Sequence, residues 1–362
     1  MIAARPSVPS SGPRLVDLAE NDLPELATFI ASQSGQAHEA TLARLNWLLL
    51  ENPARHQLIP LGCGVRSADG MLVGCILYLP QVFALGSKQL LLLGSTCFYV
   101  DELHRGSGGA LFLKFTRIAQ QWPVFGNSAN TIAAQLWKAR GATPIANSDH
   151  ELLGVINWPP VVEEVIARRT DSESLARAAG AMAPWLRYIR PLRLPNHPES
   201  QLLRLSSIEE VMQLPLLDSP DDFSALRNEA YIRWRYFSQR GKSVAVFAFC
   251  NREMPGGVFV AVNERLRGHR RQIRSLNLLD AFPKPDPHTL SAILAVLHQE
   301  YRDRADMIVV RCQDAPCQSA LIQAGFHRRE FEAPNGWLLD RSGALSPGDR
   351  HYFVPADGDW LI

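Results

Sequence analysis

The sequence has no appreciable excess of charge of either sign. Its 362 residues include 37 lysines and arginines and 36 aspartates and glutamates, which gives a formal net charge of +1 at pH 7. A chain this close to neutrality has no global attraction to nucleic acid or to an anionic membrane. Any charged partner must therefore be bound by a local cluster of residues.

Paired cysteines and metal-ligand spacings are also missing. The six cysteines occur without a Cys-x-x-Cys pair, and several lie in apolar, strand-like runs: Cys63, Cys75, Cys97, Cys250, Cys312 and Cys317. This scatter predicts reduced core thiols in the cytosol rather than a disulfide framework. The ten histidines show no paired ligand spacing with cysteine or carboxylate. We therefore predict no metal site.

Long apolar runs are absent as well. The most apolar stretch, Met71 to Ser87, is interrupted by Gly74 and Pro80, and we interpret it as a pair of buried strands rather than a membrane span. Residues 1–14 are rich in proline and serine and lack the apolar core of a signal peptide, which predicts a flexible tail. We expect a cytoplasmic protein.

What is present is an ordinary globular composition. Hydrophobic residues make up 46% of the chain and charged residues 20%, and the length predicts about two domains. The periodicity of the first half predicts, in order, a strand, two helices, three strands and a helix. The first six are placed at Leu15–Leu18, Asp22–Ser32, His38–Leu50, Leu58–Val65, Met71–Leu79 and Leu90–Val100.

The most distinctive stretch is Phe98 to Ala110, which reads Phe-Tyr-Val-Asp-Glu-Leu-His-Arg-Gly-Ser-Gly-Gly-Ala. It predicts a strand, a tight glycine loop and the start of a helix. Gly106, Gly108 and Gly109 would stand at the helix N-terminus, where the first backbone N–H groups have no partner and the dipole is positive. Because glycine has no Cβ, a pyrophosphate can approach these donors closely.

Three phosphate-binding patterns compete for this loop. A P-loop needs a Lys-Ser/Thr pair after the glycines, and none follows. A dinucleotide fingerprint needs a small residue where Leu111 stands and an acidic residue about 20 positions on, at Phe125–Gly126. The third pattern, Arg-x-x-Gly-x-Gly/Ala, is met by Arg105, Gly108 and Ala110. In it the sequence resembles the GNAT superfamily of acyl-CoA-dependent acyltransferases.

A second stretch follows at the spacing that this family requires. Asn130 to Gly141 resembles the later GNAT helix, Asn-x-x-Ala-x-x-Leu-Tyr-x-x-x-Gly-Phe, whereas Glu102 and Gly109 depart from the fuller loop pattern. The resemblance implies that a bulge splays the fourth strand from the fifth, and that acetyl-CoA or another acyl-CoA binds in the gap as cosubstrate. The cofactor-binding residues it implies are Phe98, Val100, Arg105, Gly106, Ser107, Gly108, Gly109, Ala110 and Asn130.

The family reaction is direct attack of an amine or hydroxyl on the thioester, so a general base must take the acceptor's proton. The candidates are Asp101, the first choice, Glu102 and His104, which lie next to the loop. The family's frequent general acid, a tyrosine of the last helix, is replaced by Trp137, whose indole N–H is not acidic at neutral pH. Either Tyr99 or Cys97 would serve instead, or the thiolate would leave without help.

The second half of the chain repeats features of the first. Trp47 recurs as Trp234, Asp101 as Asp280 and Gly141 as Gly325, at offsets of 187, 179 and 184 residues. A nearly constant offset indicates a duplicated domain. We predict a first GNAT-like, acyl-CoA-binding domain at residues 15–157, a helical linker at 158–198 and a second, degenerate copy at 199–362. Trp158-Pro159-Pro160 is expected to break the chain, with Thr170-x-x-Glu173 as a capping box beyond it.

The second copy has no glycine loop. Where one is due, after the predicted strand Ile273–Leu279, the chain has prolines at 283, 285 and 287, which offer no N–H to a phosphate. We expect this copy to bind no CoA and to contribute packing or a wall of the acceptor site. The predicted fold class is α/β of the α+β type, with two GNAT-like domains that each contain a mixed, mostly antiparallel sheet flanked by helices.

The function predicted first is transfer of an acyl group, acetyl before others, to a small amine, sugar or peptide acceptor. The alternatives are a non-catalytic binding protein of the same fold and an aminoacyl-tRNA-dependent transferase. The second alternative would use the basic cluster Arg265, Arg267, Arg270, Arg271 and Arg274. We favour a solvated hairpin tip for that cluster and no nucleic-acid partner. We expect the acceptor to bind near Leu42–Pro53 and the cleft between the copies. We expect Trp47 itself to be a core residue rather than part of the acceptor site.

Overall fold

The computed structural model describes residues 12–85, 87–189, 191–195, 199–214, 223–238, 244–250, 257–345 and 351–358. Most of the predicted tail, residues 1–14, and part of the proline-rich stretch Pro191–Pro198 lie outside these ranges. No helix in the part of the chain that the structure describes combines the length and apolarity needed to cross a membrane.

The first half follows the predicted order of elements, and its second helix runs on into a π-helical turn, Asn46–Leu50. The elements are β1 (Arg14–Leu18), α1 (Leu23–Ser34), α2 (His38–Leu45), β2 (Gly62–Arg66), β3 (Leu72–Leu85), β4 (Lys88–Val100), α3 (Gly108–Arg117), β5 (Val124–Gly126), α4 (Thr131–Ala139), β6 (Thr143–Pro144) and β7 (His150–Val155). The amphipathic helices form because their apolar residues recur at helical spacing and bury one face against the sheet.

The connecting segment is helical, but its start differs from the prediction. It comprises α5 (Trp158–Thr170), α6 (Glu173–Met182) and α7 (Leu186–Ile189). Trp158-Pro159-Pro160 was expected to break the chain and instead forms the first turn of α5, where a missing N–H costs no hydrogen bond. The predicted capping box is also wrong, because Thr170 ends α5 and Ser172 caps α6 by accepting the N–H of Leu175.

The second half repeats this order and adds two short strands, one between its first two helices and one near its end. Its elements are β8 (Gln201–Arg204), α8 (Ile208–Met212), β9 (Phe223–Ala225), α9 (Glu229–Ile232), β10 (Val244–Cys250), β11 (Val258–Arg267), β12 (Ile273–Phe282), α10 (Pro287–Tyr301), β13 (Met307–Val310), α11 (Ala315–Gln323), β14 (His327–Glu330), β15 (Trp337–Leu339) and β16 (His351–Tyr352). A second π-helical turn, Arg233–Phe237, follows α9 and matches the one after α2.

The strands form two mixed, mostly antiparallel sheets, which confirms the predicted fold class. The first sheet has the order β1-β2-β3-β4-β5-β15-β6, with β9 paired to β3 and β16 paired to β9. The second sheet has the order β14-β7-β13-β12-β11-β10-β8. The central pairs β4–β5 and β12–β13 are parallel. In each sheet the first strand of the parallel pair is followed by a helix, α3 after β4 and α10 after β12.

The two sheets exchange one strand each. β7, from the first half, lies between β13 and β14 of the second sheet, and β15, from the second half, lies between β5 and β6 of the first sheet. Each sheet is therefore completed by the other half of the chain. The domain boundaries near residues 157 and 198 stay a prediction. β7 and β15 each pair within the sheet of the other half of the chain.

One strand prediction is wrong. Met71 to Ser87 was expected to form two strands, but β3 is a single strand of 14 residues that continues through Pro80. Pro80 lies beyond the last β2 pair, Gly62 with Leu77, and its carbonyl accepts a hydrogen bond from Asn52 Nδ2 at 2.9 Å on the side away from β4. The N and O atoms of one strand residue point to the same side, so the nitrogen of Pro80 also faces away from β4. The missing N–H of Pro80 therefore removes no hydrogen bond between β3 and β4.

Two tryptophans join the halves of the molecule. Trp47 is 3% exposed and Trp234 is 6% exposed, and their rings stack with centroids 5.3 Å apart. Each indole Nε1 donates to the other residue's backbone oxygen, at 3.0 Å from Trp47 and 2.8 Å from Trp234. This reciprocal contact places Trp47 in a core shared by both copies, as the sequence reading favoured.

Candidate active site

The site begins with a bulge in β4. Cys75 of β3 pairs with Tyr99, whereas Leu77 pairs with Thr96, so β4 contains one extra residue at this point. Cys97 has a φ of 53°, a left-handed conformation that is uncommon for residues other than glycine. Such a bulge bends the strand and takes its backbone groups out of register with the neighbouring strand. This agrees with the bulge that the GNAT resemblance implied.

Next to the bulge, β4 and β5 separate. They pair only at Leu93 with Val124 and at Gly94 with Phe125, and beyond this point the two strands part. The apex of the gap is narrow: a Cβ at Gly126 would lie 2.9 Å from Ser95 Oγ and 3.1 Å from Trp137 Nε1. Any larger residue than glycine would displace both side chains.

The separation opens a cavity of about 200 Å³ between β4, α3 and α4. Its lining comprises Ile76, Ser95, Thr96, Cys97, Phe98, Tyr99, Phe112, Ser128, Ala129, Asn130, Ala133 and Trp137. Three of the predicted site residues, Phe98, Tyr99 and Asn130, are among them. Asn130 is also the N-cap of α4, since its Oδ1 accepts the Ala133 N–H at 2.9 Å.

The glycine stretch lies between β4 and α3, but it is not an open loop. A 3₁₀ turn, Glu102–Ser107, leads directly into α3, which begins at Gly108. An ideal Cβ at Gly106 or Gly109 meets no atom within 4 Å, and at Gly108 only Val100 and Phe98 come near, at 3.7 and 4.0 Å. The predicted phosphate-binding residues thus present an uncrowded helix N-terminus next to the bulge.

The acid–base candidates lie mostly outside the cavity lining. Asp101 Oδ1 accepts the Leu103 N–H at 2.9 Å and lies 3.3 Å from His104 Nδ1, so it caps the 3₁₀ turn. Glu102 forms an exposed ion pair with Arg105 at 2.6 Å. Only Tyr99 of the four candidates lines the cavity. The catalytic roles assigned to all four stay predictions.

Sequence reasoning missed several residues that the fold brings to the cavity. Ser95, Ser128 and Ala129 line it, although they belong to no motif. Behind the bulge, Arg44 of α2 is 8% exposed and its Nη2 lies 3.7 Å from Cys97 Sγ. A basic residue within the apolar spacing of α2 was the one sequence signal that could have identified this contact.

Trp137 stands where the GNAT resemblance led us to expect a tyrosine. It is 1% exposed and packs edge-on against Phe112 and Phe115, with centroids 5.1 and 6.1 Å away. Its Nε1 is the atom that faces Gly126 at the apex of the gap. The indole therefore supplies packing and an N–H dipole at the site, but no proton.

The equivalent gap in the second copy is filled. β11 and β12 also shift register, between Ala261 and Val262, next to Asp280. The cavity there is only about 30 Å³, and its walls include Tyr352, Val354 and Pro355 from the end of the chain. A cavity of this size holds about one water molecule. The expectation that the second copy binds no CoA stays a prediction.

Four of the five arginines in the basic cluster at the β11–β12 hairpin tip form ion pairs with acidic residues. Its ion pairs are Arg267 with Glu151, Arg270 with Asp171, Arg271 with Glu163 and Arg274 with Asp306. Within the ranges that the structure describes, no three metal-ligating side chains converge, and the six cysteines are free thiols.

Comparisons with known proteins identify the fold. No family model and no curated protein matches the chain. Among solved structures, a probable N-acyltransferase from Enterococcus faecalis V583 matches with a TM-score of 0.58 at 10% identity, over 92% of this chain and 74% of that one. A GCN5-related N-acetyltransferase from Anabaena variabilis matches with a TM-score of 0.56 at 10% identity, over 90% and 72%.

A third match is the N-myristoyltransferase of Saccharomyces cerevisiae with bound myristoyl-CoA. Its TM-score is 0.51 at 14% identity, and the match covers 97% of this chain and 85% of that one. These likenesses cover at least 90% of the chain and therefore extend over both halves. The chain therefore has the fold of the GNAT N-acetyltransferases.

Proposed function

We propose that the protein transfers an acyl group from an acyl-CoA to an amine or hydroxyl of a small-molecule or peptide acceptor. The observation that carries the proposal is the bulged β4 splayed from β5, next to the uncrowded N-terminus of α3 at Gly108. The thioester-bearing arm of an acyl-CoA fits such a gap, and the N-terminal turn of a helix attracts the phosphates of the CoA. The fold is shared with an enzyme crystallised with myristoyl-CoA, which supports an acyl-CoA as cosubstrate.

The acyl group is proposed to be short, with acetyl tested first. Ser95, Gly126 and Trp137 close the apex of the gap, which leaves little room beyond the thioester. The chain's contribution to catalysis is then positioning, together with donors that face the developing oxyanion. The backbone of β4 at Cys97 and Phe98, which the bulge takes out of register, is the proposed source of those donors.

A binding experiment tests the phosphate-binding end of the site. Isothermal calorimetry with acetyl-CoA should show that Gly108→Glu binds at least about tenfold more weakly than the wild type, because a carboxylate there repels phosphate. Gly108 tolerates a side chain, since the nearest atom to an ideal Cβ is 3.7 Å away. The matched control is Ala178→Glu on the exposed face of α6, which should bind as the wild type does.

Two results would reject the proposal. The first is a wild-type protein that binds no acetyl-CoA at millimolar concentration. The second is a Gly108→Glu variant with unchanged affinity, which would move any CoA site away from α3. Circular dichroism of each variant shows whether its fold is retained before the affinities are compared.

One observation favours the second candidate function, a non-catalytic binding protein. The only titratable side chains in the cavity lining are Cys97 and Tyr99, and the first-choice base, Asp101, caps a turn. Release of CoA thiol from acetyl-CoA over a panel of amines and amino sugars separates the two functions. Turnover that Tyr99→Phe or Asp101→Asn reduces at unchanged acetyl-CoA affinity supports the enzyme, whereas binding without turnover supports the alternative.

A further inference from the structure

A second, larger cavity shares a wall with the acyl-CoA cavity. Its volume is about 640 Å³, and its lining includes Ser128, Ala129 and Asn130, which also line the smaller cavity. The opposite wall comes from the second copy and from α5, and it includes Arg168, Arg311 and Arg329. A molecule in the larger cavity is therefore separated from the acyl-CoA cavity by one short loop.

The arginine wall has more positive charge than its carboxylate partner balances. Glu151, fully buried, receives Arg267 and Arg329 at 2.8 Å each and Arg311 at 3.4 Å. Three guanidinium groups thus share one carboxylate. Burial lowers the pKa of Arg311 to about 9 against the attraction of Glu151, and the neighbouring Arg267 and Arg329 add to the effect. A bound anion would relieve this repulsion.

The two guanidinium groups nearest the cavity are held in place. Arg311 and Arg329 both lie over the ring of Phe331, at 5.0 and 5.7 Å from its centroid. Two acidic residues also line the cavity: Glu330 lies 3.6 Å from Arg328, and Glu332 accepts the hydroxyl of Thr131, another lining residue, at 2.8 Å. The polar wall is therefore ordered before a ligand arrives, which lowers the cost of binding.

An adjoining chamber of about 30 Å³ contains a buried histidine. It shares Arg311 and Asn335 with the larger cavity and contains His150. His150 is 3% exposed, and its Nδ1 lies 2.6 Å from Asp149 Oδ1, whereas its Nε2 has no hydrogen-bond partner among the described residues. With Nδ1–H donated to the carboxylate, Nε2 is an acceptor that one water molecule in this chamber can satisfy.

The repeat explains why the second copy supplies this wall. Arg311 directly follows β13, as Asn127 directly follows β5, and the two positions differ by 184 residues, the offset that also relates Gly325 to Gly141. The residue after the parallel strand lines the chamber next to the larger cavity in the first copy. Its counterpart in the second copy contributes a cation to the cleft between the copies.

We propose that this cavity is the acceptor site and that it takes an amine or hydroxyl acceptor bearing an anionic group, a carboxylate or a phosphate. Arg311 and Arg329 hold the anion, with Arg168 at the rim. The proposal deepens the acyltransferase function and rests on it, because the bound molecule is an acceptor only if acyl transfer takes place. The anion site itself rests on the arginine wall alone.

Arginine side-chain NMR tests the anion site without any turnover. The protein is labelled at arginine Nε, and the Arg311 and Arg329 signals are assigned with the variants Arg311→Met and Arg329→Gln. Glucosamine 6-phosphate is compared with glucosamine, and β-alanine with β-alaninamide, so that the pairs differ in the anionic group. We expect the charged member of at least one pair to shift both signals and the uncharged members to leave them unchanged. The responsive pair distinguishes phosphate from carboxylate.

Affinity measurements add the matched variants. Arg329 is half-exposed, so we expect Arg329→Gln to retain the fold. The variant should bind the anionic probe about tenfold more weakly, as expected for loss of one charge-assisted contact. Arg177→Gln, on the exposed face of α6, should have no effect. Unchanged signals with every probe, equal shifts from uncharged probes, or an Arg329→Gln variant that binds as the wild type does would each overturn the proposal.

Competition with CoA separates this proposal from the proposed function. If CoA alone shifts the Arg311 and Arg329 signals and displaces the probes, the wall binds cofactor phosphates and the acceptor assignment is wrong. If the probes bind and acetyl-CoA does not, the anion site stands and the acyltransferase function fails. If both bind together and the anionic amine is acetylated with the higher kcat/KM, both proposals hold.

Discussion

Trp47 and Trp234 carry much of the contact between the two copies through single side chains. Each ring is buried, each indole N–H is bound to the other residue's carbonyl, and the fully buried Arg235 lies 5.5 and 5.4 Å from the two ring centroids. Stacking, reciprocal hydrogen bonds and a cation–π contact converge on one point. Loss of the Trp47 ring removes the stacking, the hydrogen bond that Trp47 Nε1 donates and one of the two cation–π contacts.

Trp47→Ala is expected to reduce the free energy of unfolding by about 3–5 kcal/mol, because it leaves a cavity and an unpaired carbonyl at a buried site. Urea unfolding followed by circular dichroism measures the loss. Trp185→Ala, at a position that is 72% exposed, is the control and should change stability little. A Trp47→Ala protein with unchanged melting temperature, and a raised KM for an identified acceptor, would place Trp47 in the acceptor site instead.

The sequence predicted some of these residues and could not predict others. The repeated Trp47 and Trp234, and the Asn130 cap of α4, are visible because their neighbours show helical spacing. The left-handed conformation of Cys97 is not visible, since cysteine has no preference for positive φ and only the register between β3 and β4 requires it. Arg44 reaches the site for a similar reason: its contact with Cys97 depends on how α2 packs.

At the scale of elements, prolines were the main source of error. Pro80 and Pro159 were both interpreted as breaks, yet one lies within β3 and the other in the first turn of α5. Whether a missing N–H matters depends on whether a partner strand or helix turn needs that donor. That information belongs to the tertiary structure, so a local pattern could not supply it.

The β11–β12 hairpin shows how one element is fixed by another. Glu164 of α5 is 4% exposed, and its carboxylate accepts three backbone N–H groups of the hairpin tip, from His269 at 2.7 Å, Arg270 at 3.0 Å and Arg271 at 2.6 Å. Burial raises the pKa of Glu164, but the backbone donors outweigh it and hold that pKa below its ordinary value of 4.5.

Glu164→Gln is expected to cost about 2 kcal/mol or more at pH 7, because an amide oxygen accepts these bonds more weakly than a carboxylate does. Since the folded pKa is depressed, the wild-type advantage is present above pH 4.5 and is lost as the pH falls through the lower folded value. Urea unfolding at pH 7 and at successively lower pH measures the difference between wild type and variant.

Glu173→Gln is the control for this prediction, because Glu173 forms only an exposed ion pair with Arg177 on α6 and its loss should leave stability nearly unchanged. A difference between wild type and Glu164→Gln that stays constant, or grows, as the medium is acidified would contradict the assigned role of the carboxylate.

At the scale of the whole molecule, the exchange of β7 and β15 decides how the halves depend on each other. β15 is only three residues long, yet it separates β5 from β6, and β7 separates β13 from β14. The repeat in the sequence predicted two copies of one fold. It could not predict the exchange, since a short apolar strand carries no information about which copy it will join.

We expect the exchange to make the molecule unfold as one cooperative unit. A fragment of residues 12–157 lacks β15, and a fragment of residues 158–362 lacks β7, so each sheet would have unpaired edges in its interior. Neither fragment alone should show a cooperative urea transition by circular dichroism, whereas an equimolar mixture should regain one. The intact chain cut at a protease site inserted between Asp171 and Ser172, where α5 ends, should remain a folded two-chain complex. A cooperative transition of the 12–157 fragment alone, or two separate transitions of the intact chain, would show that the halves fold independently and that the exchanged strands are dispensable.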